Sequence, residues 1–421
     1  MKNKLLKTFG PVIAAFFLVL FLIYLPLNIG MKFSREQLVK FAQFPYNSLS
    51  FTGYSVKKQA FSDSRFLPIL GSSELGHIDP FHPSSYFTKY PAGFTPYLAG
   101  QPGTTSLTQY FYVNSVAQQL KNRKIVFIIS PQWFTQKGMR EDELSNFVSK
   151  GEIYSWMKSA DPKSEDTAKL AKRLLQFKFS NSESTIHTVL KRFANNQAMT
   201  EQQKISVSFS LQFWRKEDLL FSGVSQLTTN QIGLHSKIKK MSRLLPKYQN
   251  FEKLDELAGY LGKKSSSSND FRINNKVWKK ISRSPEKMRK GRLEQVDYLE
   301  SPEYNDFQQL LNVFAENHND VLFVIQPVNG SWYSYLGLSE QKLEDFSVKI
   351  QKQLRSQGFN QITDLTDYYN TPYAVGDTIH LGYRGWLAAD LAIEKFMKQP
   401  SEVNYKLDNS RFLSKNWALN K

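Results

Sequence analysis

The chain has 421 residues, 41% of them hydrophobic and 14% aromatic, which is enough for a sizeable core and too many residues for one small domain. It contains no cysteine, which excludes disulfides and thiolate-rich metal centres. Its net charge of +18 favours polyanionic neighbours such as phosphate polymers, anionic lipid headgroups or nucleic acid.

The first element is apolar. Residues 8–30 carry no charged side chain, and residues 12–25 are nearly all Phe, Leu, Ile, Val and Ala. A run of about 20 such residues is long enough to cross a hydrocarbon core as a helix. Lys2, Lys4 and Lys7 precede it, so the positive-inside rule leaves the N-terminus cytoplasmic and the main domain extracytoplasmic. A cleaved signal peptide is the competing reading, but no small-x-small site follows the run. We therefore expect a cytoplasmic stub and transmembrane anchor over residues 1–31, and a single-pass protein of the cell membrane.

Residues 32–136 are expected to begin an α/β domain. Residues 32–65 read as a connector with one amphipathic segment. Phe66–Leu70 is a short buried strand, followed by the small-residue turn Gly71-Ser72-Ser73. Residues 98–105 read as a turn before a helix over 105–121, where Leu107, Tyr110, Phe111, Val113, Val116 and Leu120 keep helical spacing. Residues 125–129, Ile-Val-Phe-Ile-Ile, form a continuous apolar run typical of a parallel strand covered on both faces. Ser130-Pro131-Gln132-Trp133 ends it.

Over residues 137–305 β-rich runs are scarce. Helices are expected over 168–179, 186–193, 206–221 and 238–245, and residues 263–269, Lys-Lys-Ser-Ser-Ser-Ser-Asn, read as a flexible polar loop. This block reads as a mostly helical insertion. From 237 to 292 it holds 17 Lys/Arg against 5 Asp/Glu, a surplus of 12 within the total of +18. The alternation returns over residues 306–400: a helix over 306–318, a buried strand over 321–325, a helix over 340–357 capped by Gly358, a short strand over 362–365 and a helix over 385–397. Residues 401–421 form a C-terminal tail. Strands alternating with helices imply a parallel sheet with helices on both faces, whose ligands bind beyond the carboxyl ends of the strands. Ser73, Gln132, Gln326 and Asp377 all follow strand candidates, so they are expected to converge on one edge.

That edge would hold the parts of a serine-dependent acyl transfer. A hydroxyl is a poor nucleophile until a base takes its proton. Ser73 is the candidate nucleophile, with Ser72 barely distinguishable from it by residue pattern. Of the six histidines, only His380 follows a strand with an aspartate three residues earlier, so Asp377 would orient the ring that deprotonates the serine. His77 and His82 follow the serine turn and could line a pocket, but read more readily as structural; His187, His235 and His318 read as surface residues. Gly103, in a turn before a helix, and Gln132, after a strand, are candidate oxyanion donors. No phosphate-binding glycine loop or metal-ligand cluster is visible, so no cofactor is expected. No aromatic-basic recognition motif points to nucleic acid.

Gly71-Ser72-Ser73, a glycine before a helix, an amide after a strand and a late Asp377-x-x-His380, in that order, resemble the SGNH (GDSL-type) hydrolases. The chain departs from them at Ser72, where Gly-Asp-Ser has aspartate, and at Ser130-Pro131-Gln132-Trp133, where Gly-x-Asn-Asp stands. This resemblance implies a three-layer fold and selects Ser73 over Ser72. It assigns the Ser73 and Gly103 amides to an oxyanion hole and makes Gln132 a substitute for an asparagine. Together with the N-terminal anchor, Gly71-Ser72-Ser73-Glu74-Leu75, Ser130-Pro131-Gln132-Trp133-Phe134, Pro327-Val328-Asn329-Gly330 and Trp332-Tyr333, the pattern is similar to the DltD family of D-alanyl-lipoteichoic acid biosynthesis over nearly the whole chain. The implication is D-alanine transfer onto teichoic or lipoteichoic acid in a Gram-positive cell wall. The partners implied are a membrane-bound O-acyltransferase (DltB-like), a carrier protein supplying the D-alanyl group and an anionic membrane surface. An extracytoplasmic esterase or thioesterase uses the same residues, and a non-catalytic scaffold for the membrane acyltransferase is the reading from another class.

Overall fold

The computed structural model describes residues 9–18, 21, 32–44, 51–228 and 231–420. The expected anchor therefore lies largely outside the described residues. Residues 9–18 are helical, and Phe9, Val12, Ile13, Phe16, Phe17 and Leu18 are exposed on them. Among the described residues, no helix is long and apolar enough to cross a membrane.

The fold is α/β. Five strands, β1 (Phe66–Leu70), β2 (Thr95–Ala99), β3 (Lys124–Ile129), β4 (Asp320–Ile325) and β5 (Ile362–Asp364), form one sheet in the order β2-β1-β3-β4-β5. Every pairing is parallel. Side chains alternate between the faces of a strand, and both faces are covered here. Ile125, Phe127 and Ile129 of β3 join one core with Phe323, Phe307 and Phe346. Val126 and Ile128 of the same strand join a second core with Leu322, Trp386 and Leu254.

Two strands contain proline, which cannot donate to a ladder. Pro96 lies in β2, at the edge of the sheet, where the loss is harmless. Pro68 lies in β1, an inner strand, and the pairing of β1 with β3 begins only after it, at Ile69 with Val126. Arg123 fills the gap below, donating to the carbonyls of Phe61 at 2.9 Å, Ser64 at 2.9 Å and Phe66 at 2.6 Å.

The structure corrects three local expectations. Residues 98 and 99 are the end of β2 rather than a turn, because they pair in register with Ile69 and Leu70. The helix expected over 105–121 runs as Ser106–Ser115 and Ala117–Leu120, broken at Val116, whose φ of −126° is not helical. Residues 263–265 continue the helix Phe251–Ser265, and the rest of the expected flexible loop is tied down. There the Ser268 hydroxyl donates to Asn275 at 2.6 Å and Asn269 donates to the Ile273 carbonyl at 2.7 Å. The Glu340–Arg355 helix ends as expected toward Gly358, at φ +91°.

Between β3 and β4 the described residues contain helices and no strand. The later part of this segment returns to the sheet. The Phe251–Ser265 helix packs along Tyr383–Lys398, joined by the Arg384–Asp255 pair, with both contacts at 2.7 Å. Gly262 sits against the Tyr373 ring, where a Cβ would be 2.2 Å from a ring atom. The last residues also pack on the domain, through buried Phe412 and the Trp417 indole, which donates to Gln353 at 2.9 Å.

Candidate active site

The site lies where the strand order reverses, beyond the carboxyl ends of β1 and β3, the place where open parallel sheets hold ligands. β1 ends at Leu70, and the chain turns sharply at Gly71-Ser72 into a short 3-10 turn, Ser73–Gly76. Several contacts fix this turn. The Gly71 amide donates to the Ala99 carbonyl at 3.1 Å. The Gly71 carbonyl accepts from Thr104 Oγ1 at 2.8 Å and from the buried Gln109 amide at 2.7 Å. Gly100 lets β2 approach: a Cβ there would be 2.6 Å from the Gly71 carbonyl carbon.

Glu74 separates the two serines. Its buried carboxylate folds back to accept the Ser72 amide at 2.6 Å. It passes so close to Gly71 that a Cβ there would be 2.1 Å from Oε1. Ser72 is thereby turned inward, and its hydroxyl donates to the Gln101 carbonyl at 3.1 Å. Ser73 faces the other way, with Oγ 2.7 Å from Nε2 of His380.

His380 belongs to a tight loop after β5. Val375 and Leu381 bridge across it, and the Gly376 amide donates to the His380 carbonyl at 2.8 Å. Within the loop, Asp377 Oδ2 meets His380 Nδ1 at 2.7 Å. Asp377 Oδ1 accepts the amides of Ile379 and His380, both at 2.9 Å. Burial opposes the charge on Asp377, yet the hydrogen bond and positive charge of His380, with the two amides, hold its carboxyl down at about 2. Burial likewise opposes a charged His380. The Asp377 hydrogen bond and the negative charges of Asp377 and Glu74 outweigh that and raise its pKa above the ordinary value. Burial pushes the Glu74 pKa up.

Asn329 anchors the loop from behind. Its side-chain amide donates to the Asp377 carbonyl at 3.0 Å and to the Phe271 carbonyl at 2.9 Å. Its own backbone amide donates to the Thr378 carbonyl at 3.1 Å, and its Oδ1 accepts the Trp332 amide at 3.0 Å. From the other side the Asn274 amide donates to the Gly376 carbonyl at 3.0 Å.

The structure thus brings Ser73, His380 and Asp377 together from opposite ends of the chain. Gly103 adopts φ +97° in the loop that packs on Gly71 and Ser72, with the Glu143 side chain against it. The Gln132 amide follows β3 as expected and donates to the hydroxyl of buried Tyr333. Gln326 is buried directly after β4, its backbone amide donating to the Ile129 carbonyl at 3.0 Å. His82 is structural: Nε2 meets the Leu75 carbonyl at 2.8 Å, and burial lowers its pKa to about 3. His77 is exposed and packs against His380 at a tilt of 32°, with ring centroids 4.4 Å apart. Reading the residues alone gave no role to Glu74 or Asn329. The available signals were an acid directly after the serine turn and an Asn-Gly pair after a strand, where Asn caps the Gly330–Tyr335 helix.

His380 and Asp377 line a cavity of about 430 Å³. His77 and Asp79 form its serine-side wall, and Lys237, Asn274 and Lys276 reach it from the basic segment. Among the described residues one group has metal-ligand spacing: His77, Asp377 and His380, with ligand atoms within 4.8 Å of one another. Both ring nitrogens of His380 already face Ser73 and Asp377, so a cation there would have to displace one of them. The arrangement suits proton transfer from a hydroxyl to a ring and onward to a leaving group.

Known proteins resemble this sequence over most of its length. A family model described as DltD protein matches residues 43–398. A protein named Protein DltD from Bacillus subtilis (strain 168) is 36% identical over 395 residues, covering 93% of this chain and 97% of that one. Proteins of the same name from Lacticaseibacillus rhamnosus and Staphylococcus aureus (strain NCTC 8325 / PS 47) are 33% and 27% identical. They cover 97% and 93% of this chain, and 95% and 96% of their own lengths.

Proposed function

Because this chain belongs to the DltD family, we propose that it is a membrane-anchored, extracytoplasmic serine acyltransferase that moves D-alanine onto teichoic or lipoteichoic acid. The single observation that carries the chemistry is the relay of two 2.7 Å contacts, Ser73 to His380 and His380 to Asp377, at the switch point of the sheet. The β2-β1-β3-β4-β5 order with two helical layers supports an SGNH-like fold.

In this reading Ser73 Oγ attacks the carbonyl carbon of an activated D-alanyl group supplied through a carrier protein. His380 Nε2 takes the hydroxyl proton while Asp377 stabilises the charged ring. Collapse of the tetrahedral intermediate breaks the bond to the donor, whose leaving group takes the proton from His380. The product is an ester on Ser73. A polymer hydroxyl then attacks that ester, gives its proton to His380, and Ser73 leaves and recovers it. The Ser73 and Gly103 amides are the proposed donors to the oxyanion, and Gln132, already bonded to Tyr333, has a second amide hydrogen for the same purpose.

Two surface features support a membrane position, where a DltB-like acyltransferase would be the partner. Residues 9–18 expose apolar side chains on a helix. At the corner joining Gln231–Ser242 to Phe251–Ser265, Leu244, Tyr248 and Phe251 are exposed among Arg243, Lys247 and Lys253. Aromatic and basic side chains together suit an anionic bilayer interface.

The test is reconstitution of the full chain with its membrane partner, measuring D-alanine on the polymer. Ser73→Ala should abolish transfer and also abolish labelling by a serine-reactive fluorophosphonate, read by intact mass. Full transfer by the variant refutes the acyl-serine.

A further inference from the structure

We propose that Lys237 and Lys276 form a phosphate subsite beside His380, holding a phosphodiester of a polyol-phosphate acceptor so that its neighbouring hydroxyl faces the acyl-serine. The inference rests on the acyltransferase reading and gives it an acceptor grip. The two lysines come from separate helices, Gln231–Ser242 and Asn275–Ile281, yet line the same cavity as Asp377 and His380. Neither ammonium has a hydrogen-bond or ion-pair partner among the described residues, and both side chains are exposed. Lys237 leans over the cavity rather than away from it. Its charge acts on both His77 and Asp79, in addition to the effect of burial on each.

Neither acidic group of the cavity forms an ion pair with these cations. The two groups are Asp79 and Asp377. Asp377 is committed to His380 and to two backbone amides. Asp79 Oδ1 accepts the Phe81 amide at 2.7 Å and the His82 amide at 3.0 Å, and burial pushes its carboxyl up to about 7. Two ammonium groups facing a concave site, with no partner among the described residues, call for an anion from outside. A phosphodiester fits: each lysine donates charge-assisted hydrogen bonds to phosphoryl oxygens, and lysine suits phosphate as a compact charge.

The geometry also answers a chemical need. A transferase must hold its acceptor well enough to outcompete water for the ester. In a polyol-phosphate chain every free hydroxyl lies a few bonds from a phosphate. Fixing the phosphate therefore fixes the nucleophile. In the transfer step the hydroxyl oxygen bonds to the carbonyl carbon and its proton passes to His380 Nε2. The Ser73 ester bond breaks and the proton returns to Ser73 Oγ.

The experiment uses the full chain and a short glycerol phosphate oligomer as probe, with glycerol as the uncharged comparison. Binding of the oligomer is measured by equilibrium dialysis for wild type, Lys237→Ala, Lys276→Ala and the double variant, with Lys158→Ala, an exposed lysine elsewhere, as control. Each cavity variant should weaken binding about tenfold, the value of one hydrogen bond to a charged group. The double variant should also lose most of the salt dependence, since two of the charges seen by the oligomer are gone. Glycerol should show no preference among the proteins. Equal oligomer binding by wild type and the double variant overturns the proposal, as does an equal loss in Lys158→Ala. Fluorophosphonate labelling of wild-type Ser73 is read in parallel: its absence overturns the acyl-serine while leaving the dialysis to decide the lysine pair.

Discussion

Asp377→Asn keeps the shape of the relay and removes its charge. Held at about 2 in place of 3.8, the buried carboxyl contributes roughly 2 kcal/mol of folding stability at about 1.4 kcal/mol per pH unit. The sign follows from a depressed pKa. The contribution is fully present above the unfolded value near pH 4 and disappears as pH falls through about 2. His380 has a raised pKa, so its share is present below its ordinary value and is lost as pH rises through the folded one. At pH 7 the carboxylate share is whole. The substituted side chain would still accept the Ile379 and His380 amides through its carbonyl oxygen. The expected loss at pH 7 is therefore somewhat under ~2 kcal/mol by chemical denaturation, shrinking below about pH 4 and vanishing only as pH falls through about 2. The rate effect should be larger. A neutral amide nitrogen facing Nδ1 favours the tautomer with Nε2 protonated, so His380 cannot take the Ser73 proton, and reactivity should fall about 10³- to 10⁴-fold. The assay is the fluorophosphonate inactivation rate from pH 4 to pH 9. Wild type should gain reactivity as pH rises through the elevated His380 pKa, and the residual limb of the variant should move to lower pH. Wild-type rates with an unmoved limb would refute the relay, whatever the variant's stability.

Two further outcomes follow from contacts remote from the reacting atoms. Asn329→Ala leaves Ser73, His380 and Asp377 unchanged but removes the buried side-chain bonds to Asp377, Phe271 and Trp332. At about 1 kcal/mol each, it should cost roughly 3 kcal/mol in denaturant unfolding and slow labelling about 10²-fold through displacement of the histidine loop. Unchanged labelling would show that the loop holds itself. Replacing Leu244, Tyr248 and Phe251 by Ser in a chain starting at residue 32 should weaken flotation with anionic vesicles about tenfold, while neutral vesicles bind neither form. Equal flotation would remove the membrane role of that corner.

Much of the frame was legible along the chain because it depends on local periodicity. Two five-residue apolar runs, at 125–129 and 321–325, have the length and β-branched, aromatic character of strands buried on both faces, and they form the paired centre of the sheet. Asp377 and His380 were legible as a pair because three residues of one loop suffice to bring carboxylate and ring together. β2 was not. Thr95-Pro96-Tyr97-Leu98-Ala99 has no strand signature of its own and extends because an edge position forgives its proline while β1 pairs with it. The choice between Ser72 and Ser73 likewise had no local answer in the residue pattern. The Glu74 carboxylate, folding back onto the Ser72 amide, decides it. Nor could composition say which of 17 basic residues between 237 and 292 face the site. Spacing along a strand or helix sets which side chains share a face. Which faces then meet, and which side chains enter one cavity, is set by packing between segments far apart in the chain, and here that packing carried Lys237 and Lys276 over to His380.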